Sequence, residues 1–276
     1  MARQKRIALI NDITGFGRCS VTVQLPLISA MRVQACPLPT AILSVHTGFP
    51  NHYLDDYTDR MRPYMENWAA NALEFDAILT GFLGSERQIE VVLECIARFK
   101  QRTTQLVVDP VMGDNGSLYS SYTPALCAKM RQLLPQADVV TPNLTEACQL
   151  LGADYPTGGL VTEDELARMA AAIAAMGPRT VIITGLHADE NVRTYLYADG
   201  CGCFFDNPKV GRDRSGAGDA FSAIIAAALV RGIPLAEGVP RAADFIGHCL
   251  TYAEELDLPW NHGLPFEEFM GELTEL

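Results

Sequence analysis

Residues 77–114 read AILTGFLGSERQIEVVLECIARFKQRTTQLVVDPVMGD, a stretch that contains one complete strand–helix–strand unit. Residues 77–80 and 105–109 are short, continuous apolar runs, which are typical of strands that are buried on both faces of a parallel sheet. Between them, residues 86–100 carry apolar side chains at helical spacing. A strand, a helix and a second strand in this order predict a βαβ unit.

The same alternation continues on both sides of this unit. It predicts an α/β fold with a mostly parallel central sheet and helices on both of its faces. No repeat, low-complexity segment or linker divides the sequence, so we predict a single domain over residues 1–276. The further strands are predicted at residues 6–10, 39–43, 138–141 and 180–184, and the further helices at 21–31, 54–73, 124–134, 146–151 and 162–176.

The pattern changes after residue 184. Residues 192–198 and 201–205 are two strand-like runs separated by Asp199 and Gly200, and this dipeptide is a strong signal for a hairpin turn. A polar loop over residues 207–215 follows, and then two helices at 217–231 and about 235–255. The sequence therefore predicts a late β-hairpin next to the last two long helices.

Composition excludes several classes of protein. The 276 residues include 21 Lys and Arg against 33 Asp and Glu, a formal charge of -12. This balance argues against broad binding of nucleic acid or of an anionic membrane, which needs a basic surface.

The N-terminal apolar run, residues 7–10, is too short for a signal peptide or a membrane span. The eight cysteines include no C-x-x-C pair, so we expect free thiols and a cytoplasmic protein.

Small polar or acidic residues follow the predicted strands. In open parallel sheets, ligands bind beyond the carboxyl ends of the strands, so residues at these ends share one edge. One such end would mean little, but six at one edge predict an active site. The candidates are Asn11, Asp12, His46, Thr47, Phe82, Asp109, Asp114, Asn143, Glu146 and Thr184.

The sharpest single motif is Gly216-Ala217-Gly218-Asp219, which opens a helix of small apolar residues. The first turn of a helix has unpaired N–H groups and a positive dipole end, so it binds anions. Asp219 lies in the same turn, where it would act as a general base. The alternative is an ordinary Gly-rich turn with an acidic residue at the start of a helix.

Four further polar residues each allow two interpretations. Asp114 and Glu146 end separate strand loops and would either bind Mg²⁺, which needs oxygen ligands, or cap helices. Asn143 fits a ligand contact and a helix cap equally well. Lys209 lies ten residues before Asp219, and it would be either a solvated side chain or a phosphate contact.

The motifs that the sequence lacks argue against several further classes of enzyme. The sequence has no G-x-x-x-x-G-K-[ST] motif, which excludes a P-loop enzyme. Gly15 and Gly17 only half match the dinucleotide-binding pattern, and no acidic residue lies about twenty residues beyond them. The five histidines do not have the spacing of a metal site. The sequence also lacks the G-x-S-x-G motif of α/β-hydrolases.

Taken together, these motifs resemble the pyridoxal kinase family, within the ribokinase-like superfamily of ATP-dependent kinases. The resemblance runs from Ile7 to about Ala253. The matching segments are residues 40–47, 80–85 (TGFLGS), 108–114 (VDPVMGD), 141–146 (TPNLTE), 216–219 (GAGD) and 221–223 (FSA). The GAGD motif is shared across the superfamily, whereas the combination with His46-Thr47, GFLGS and DPVMGD is more specific to vitamin B6 kinases.

The resemblance implies a role for each candidate. Asp219 would take the proton of a substrate hydroxymethyl group while the N–H groups of Gly216, Ala217 and Gly218 hold the transferring phosphoryl group. The implied cofactors are ATP and Mg²⁺, with K⁺ as a further candidate ion, and the implied assembly is a homodimer. The implied assignments are Asn11, Asp12, His46, Thr47 and Phe82 to the B6 vitamer, Asp109, Asn143, Thr184 and Lys209 to ATP, and Asp114 and Glu146 to the metal.

Two departures from the family pattern bear on the substrate. Asn11 and Asp12 stand where many pyridoxal kinases have a Ser, and Phe82 stands where many have a Tyr. An acidic residue in the first loop also occurs in hydroxymethylpyrimidine kinases. Alternatively, the acidic residue would pair with a substrate amine, which would favour pyridoxamine over pyridoxal.

Three other functions remain open. A hydroxymethylpyrimidine kinase is the nearest, although bacterial members often have Cys where this chain has Asp219. The second is a sugar or nucleoside kinase, which usually adds a small lid sheet. The third is a binding protein that has lost the chemistry.

Overall fold

A computed structural model of the chain describes residues 3–188 and 190–275. The strands are β1 (Arg6–Thr14), β2 (Gln34–Leu43), β3 (Leu54–Asp56), β4 (Ala77–Thr80), β5 (Gln105–Val108), β6 (Gly113–Asp114), β7 (Ser117–Leu118), β8 (Val139–Val140), β9 (Thr180–Ala188), β10 (Asn191–Ala198) and β11 (Cys201–Pro208). Nine of them form one sheet in the order β11-β10-β9-β8-β5-β4-β1-β2-β3, and β6 pairs with β7 in a small separate hairpin.

The centre of the sheet is parallel, as the sequence predicts. Six neighbouring strands, from β9 to β2 in the sheet order, pair in parallel. The strands at the two edges are antiparallel to their neighbours: β3 pairs with β2, and β10 and β11 extend the other side. The carboxyl ends of the parallel strands therefore lie along one edge of the sheet.

Helices cover both faces of the sheet. They are α1 (Val21–Ala30), α2 (Thr58–Ala70), α3 (Glu86–Phe99), α4 (Pro124–Met130), α5 (Leu144–Leu151), α6 (Glu163–Ala174), α7 (Ala217–Arg231), α8 (Leu235–Glu255) and α9 (Met270–Thr274). Side chains of a strand alternate between the two faces. In β1, Ala8 and Ile10 join the core under α2–α6, while Ile7 and Leu9 join the core under α1, α7, α8 and α9. This alternation explains why the central strands read as continuous apolar runs.

The first strand continues further than predicted. Instead of ending at Ile10, β1 runs to Thr14, with a shift in its register against β2 between Asn11 and Ile13. Such bulges redirect side chains and are common next to active sites. Asn11 and Asp12 therefore lie within a strand of the sheet and not in a loop.

The prediction of one helix over residues 54–73 is wrong at its start. Residues 54–56 form the edge strand β3, and α2 begins only at Thr58. The reason is a polar turn: an Asp56 carboxylate oxygen accepts the backbone N–H of Thr58 at 2.8 Å, and it also accepts the side-chain hydroxyl of that residue. Similarly, α4 gives way at residue 131 to a 3₁₀ turn that extends to residue 136 and contains Pro135.

The late hairpin is confirmed and is longer than predicted. Asp199 and Gly200 both have positive φ, 50° and 81°, as a type I′ turn requires. The β10–β11 pair extends to Asn191 and Pro208 and continues the main sheet. All eight cysteines are free thiols, as expected. Among the described residues, none of the helices has the length and apolar character that a membrane crossing requires.

Gln88 ties α3 to three other elements. Its side chain is 1% exposed, and its amide oxygen accepts the Gly84 N–H at 2.7 Å. Its amide nitrogen donates to the Thr40 carbonyl and to the Thr58 hydroxyl, both at 2.8 Å. This one amide thereby joins the end of β2, the start of α2 and the turn before α3.

We predict that Gln88→Met destabilises the chain. Methionine fills a similar volume but leaves buried N–H and C=O groups without partners, at a cost of about 1–3 kcal/mol for each group. The thermal midpoint should fall by roughly 5–10 °C. The matched control is Gln101→Met at an exposed glutamine. Equal midpoints for the two variants would contradict the role of Gln88.

Candidate active site

A cavity of about 640 Å³ lies at the edge of the sheet where β1, β2, β5 and β8 end, with β9 and the start of α7 beside them. Fourteen of the fifteen residues predicted from the sequence line it, so the strand ends do converge. They are Asp12, His46, Thr47, Phe82, Asp109, Asp114, Asn143, Glu146, Thr184, Lys209, Gly216, Ala217, Gly218 and Asp219. The exception is Asn11, which lies behind the cavity wall.

The motif at residues 216–219 forms an anion-binding turn. Gly216 precedes α7 with φ +88°, and a Cβ atom there would lie 2.0 Å from the Arg18 carbonyl oxygen. Only glycine therefore fits. The N–H of Ala217 makes a long hydrogen bond, 3.4 Å, to the Arg214 carbonyl, whereas the N–H groups of Gly216 and Gly218 have no backbone partner among the described residues. These groups face the cavity and are free to bind a negatively charged ligand.

Asp219 is held from two sides. One carboxylate oxygen accepts the Asn11 amide at 3.0 Å, and the other accepts the Ser20 backbone N–H at 2.8 Å. Burial raises the pKa of Asp219 to about 6, with a smaller upward contribution from the Asp12 charge, while the two hydrogen bonds act in the opposite direction. A carboxylate with a pKa near the working pH is well suited to accept a proton.

Asn11 positions Asp219 and does not touch the cavity, contrary to the prediction of a substrate contact. It is fully buried, and its amide nitrogen donates to Asp219 and to Gln24, each at 3.0 Å. Its amide oxygen accepts the N–H groups of Asp12 and Phe82. All of its hydrogen-bonding capacity is therefore used by the protein.

His46 lines the cavity, and both of its ring nitrogens are already engaged by the protein. Its Nε2 lies 2.8 Å from the Asn261 carbonyl oxygen, and its Nδ1 accepts the Gly48 N–H at 3.0 Å. Burial lowers the pKa of His46. The ring is therefore a neutral imidazole with both nitrogens engaged, and it offers a ligand only its apolar edge. Its neighbour Thr47 is exposed to the cavity.

A second group of acidic residues lies further along the cavity. Burial, together with the negative charges of Glu146 and Asp219, raises the pKa of Asp109 well above its usual range. Burial also raises the pKa of Glu146 to about 8, and it raises the pKa of Asp114. Removing these carboxylates from water favours any cation that enters the cavity.

Glu146 lines the cavity and also caps a helix. Its carboxylate accepts the N–H groups of Met112 and Asn143 at 3.1 and 2.9 Å, and it forms a capping box with Asn143 at the start of α5. Asp109 and Asp114 are thus the freer carboxylates for a metal. No three metal-ligating side chains cluster within the described residues. A magnesium ion would therefore take most of its ligands from phosphate and water, as is common for this ion.

The remaining predicted residues lie at the far end of the cavity. Thr184 pairs with Asn143 in an isolated β-bridge, and the exposed Lys209 follows β11. The Asn115 amide reaches the Asp213 carboxylate at 3.3 Å, and this contact connects the β6–β7 hairpin to the loop that carries Lys209. Thr184, Lys209, Asn115 and Asp213 all line the cavity.

Residues 258–263, which we call the C-terminal strap, were not predicted to contribute. Its carbonyl oxygens accept hydrogen bonds from the buried Arg214 and from Arg18. One of them also meets His46, and the side chain of Trp260 lines the cavity. The strap therefore connects the loops after β1, β2 and β11. Because it contributes mainly backbone carbonyls, no sequence motif marks it.

Comparison with known families agrees with this geometry. The sequence profile of the family described as phosphomethylpyrimidine kinase matches residues 25–263 of the chain. The match includes four of the five strand ends at the cavity and the anion-binding turn.

Similar proteins carry two kinds of name. One is a Bacteroides thetaiotaomicron protein that is named as a phosphomethylpyrimidine kinase and was crystallised with pyridoxal. It is 35% identical to this chain with a TM-score of 0.94, and the match covers 99% of this chain and 96% of the other. Pyridoxal kinase from Lactobacillus plantarum is 28% identical with a TM-score of 0.90, over 99% and 98%. A hydroxymethylpyrimidine/phosphomethylpyrimidine kinase of Rhizobium meliloti is 29% identical over 90% of this chain and 91% of its own.

We predict that Gly216→Ala damages both stability and activity. The added methyl group meets the Arg18 carbonyl and requires a strained φ, which costs about 1–3 kcal/mol. The turn will shift, so phosphoryl transfer should fall with the thermal midpoint. Gly271→Ala on α9 is the control, since a Cβ there meets open space. Wild-type stability and turnover in Gly216→Ala would contradict the steric argument.

Proposed function

Since this chain belongs to the phosphomethylpyrimidine kinase family, we propose that it transfers the γ-phosphoryl group of ATP to the 5′-hydroxymethyl group of a B6 vitamer. Kinase chemistry and the use of ATP follow from the family. The vitamer is the finer part of the proposal, and it draws support from the Bacteroides relative that was crystallised with pyridoxal.

The observation that carries the proposal is the position of Asp219. Its carboxylate lies in the first turn of α7, directly beside the free N–H groups of the anion-binding turn, and both line one continuous cavity. A hydroxyl group next to Asp219 would therefore meet a phosphoryl group held by residues 216–218. This juxtaposition is what transfer between two bound substrates requires.

The proposed reaction forms one P–O bond and breaks another. The hydroxymethyl oxygen attacks the γ-phosphorus while its proton passes to the Asp219 carboxylate. The bond between the γ-phosphorus and the bridging oxygen breaks, and ADP leaves with that oxygen. The N–H groups of Gly216, Ala217 and Gly218 stabilise the charge that builds up on the transferring group. Asn11 keeps the carboxylate oriented toward the hydroxyl.

The acidic end of the cavity fits Mg·ATP. Asp109 and Asp114 would hold the metal, with Glu146 fixing the Asn143 turn, and Thr184 and Lys209 would contact the phosphates. Magnesium supplies neutralisation of the phosphate charge, which otherwise would face several carboxylates. A K⁺ ion would satisfy the same negative field, and it stays a prediction.

A hydroxymethylpyrimidine kinase is the second candidate. The Rhizobium relative carries that activity in its name, and the matched family is named for the related phosphomethylpyrimidine kinase activity. The two functions use the same cavity and the same reaction, since both substrates present a hydroxymethyl group on a heteroaromatic ring. The binding wall around Asp12, Thr47 and Phe82 must therefore distinguish them.

A substrate panel separates the candidates. ADP release is measured with Mg·ATP and, in turn, pyridoxal, pyridoxamine, pyridoxine, hydroxymethylpyrimidine and ribose. We expect turnover with B6 vitamers. Turnover with hydroxymethylpyrimidine alone would favour the second candidate, and turnover with ribose alone would favour a sugar kinase. ATP binding without any turnover would contradict the assignment of a catalytic site.

We predict that Asp219→Asn folds normally and loses at least about 100-fold in kcat, the scale of general base catalysis. The amide keeps the shape of the side chain but cannot accept the proton. The control is Asp154→Asn, an exposed carboxyl that does not line the cavity. Near-normal kcat in Asp219→Asn would remove this residue from its proposed role.

The activity should also depend on pH in a defined direction. The carboxylate form of Asp219 is the base, and its pKa is about 6. Well below this value kcat/KM should fall by about tenfold for each pH unit, and it should reach a plateau above about pH 7. Asp219→Asn should lack this transition. A midpoint near 4 in the wild type would contradict the buried environment of Asp219.

Three sequence-based expectations stay predictions. They are a single domain, a homodimer and a cytoplasmic location. Analytical ultracentrifugation of the purified chain would test the homodimer directly.

A further inference from the structure

We infer that Asp12 selects a substrate with an amino group at the ring position next to the hydroxymethyl group, so that pyridoxamine is preferred over pyridoxal. The inference rests on the proposed function and names the substrate more narrowly. Its basis is a buried carboxylate that lines the cavity and forms no ion pair with a lysine or arginine among residues 3–188 and 190–275.

The surroundings of Asp12 contain neutral donors only. The residue is 4% exposed and lines the cavity. One carboxylate oxygen accepts the Thr14 hydroxyl at 2.6 Å, and the Ser20 hydroxyl is a second neutral donor. Within the described residues, Asp12 forms no ion pair with a lysine or arginine.

The nearest titratable base does not compensate this charge. His46 is neutral because burial lowers its pKa, and both of its ring nitrogens already have partners in the protein. Burial raises the pKa of Asp12 itself, because removal of the carboxyl group from water disfavours its charged form. A buried carboxylate costs several kcal/mol unless a cation or several hydrogen bonds offset it. A cationic group of the substrate would provide that offset.

The position of Asp12 matches the chemistry of the substrate. The backbone N–H of Asp12 donates to the amide oxygen of Asn11. The amide nitrogen of Asn11 in turn donates to the Asp219 carboxylate. Pyridoxamine carries its aminomethyl group and its 5′-hydroxymethyl group on adjacent ring atoms. With the hydroxyl at Asp219, the ammonium group comes to lie beside Asp12.

The other vitamers fit less well. The formyl oxygen of pyridoxal only accepts hydrogen bonds, so it meets a carboxylate that repels it. The second hydroxymethyl group of pyridoxine donates a hydrogen bond but carries no charge. The expected order of kcat/KM is therefore pyridoxamine, then pyridoxine, then pyridoxal. Hydroxymethylpyrimidine also has an amino group next to its hydroxymethyl group, so the same carboxylate would recognise it.

The test compares kcat/KM for the three vitamers in the wild type, Asp12→Asn and Asp12→Ser. In the wild type, we expect pyridoxamine to lead pyridoxal by about 10- to 100-fold, the effect of one hydrogen bond to a charged group. Both variants should remove most of this ratio, because they should raise the KM of pyridoxamine much more than the KM of pyridoxal. Asp154→Asn should keep the wild-type ratio.

Two results would overturn the inference. An equal loss for all three vitamers would mean that Asp12 acts through Asp219 or recognises a feature common to the ring. A wild-type preference for pyridoxal would contradict it directly. Binding of pyridoxamine and pyridoxal without ATP, measured by absorbance, separates recognition from catalysis, because only recognition changes the ratio of dissociation constants.

Failure of the proposed function is a separate outcome. If no vitamer is phosphorylated but hydroxymethylpyrimidine is, the B6 proposal fails and the role of Asp12 is tested with hydroxymethylpyrimidine and its analogue without the amino group. Loss of discrimination between these two in Asp12→Asn would support the inference. Unchanged discrimination would overturn it.

Discussion

The unpaired negative charge of the cavity is the constraint on which the rest of the site depends. Within the described residues, Asp12, Asp109, Glu146 and Asp219 form no ion pair with lysine or arginine, and burial raises the pKa of each. Since these pKa values are higher in the folded than in the unfolded chain, the stability of the free protein declines as pH rises from about 4 toward 6 for Asp219 and 8 for Glu146. Cationic ligands offset this cost, so binding and stability are linked.

The fold creates this situation from ordinary parts. The parallel strands bring distant acidic residues to one edge, and the bulge in β1 turns Asp12 toward the cavity while Asn11 points to Asp219. Gly216 allows α7 to begin close to the loop after β1. Asp219, the anion-binding turn and the cavity wall around Asp12 are thus held in place by the sheet and by one helix. Under the proposed function, groups held in this way would contribute to catalysis by positioning.

Much of this arrangement could be predicted from the sequence, because the signals are local. The apolar runs, the Asp199-Gly200 turn and the GAGD motif each contain their own evidence. The partners of individual side chains could not be predicted in the same way. Asn11 and Asp219 are 208 positions apart, and the carbonyl oxygen next to the Nε2 atom of His46 belongs to a residue 215 positions away. A side chain of the right type at the edge of the sheet is not a ligand contact until its hydrogen-bonding capacity is known.

The C-terminal strap has a consequence for the order in which the chain is made. Residues 258–263 are synthesised after all the loops that they hold together, and their carbonyls fix Arg18, His46 and Arg214. The sheet and its helices can form earlier, since chains fold from the N-terminus as they emerge from the ribosome. A nascent chain without the strap would have the fold but loosely held loops. The cavity would therefore become organised only after residues 258–263 have been synthesised.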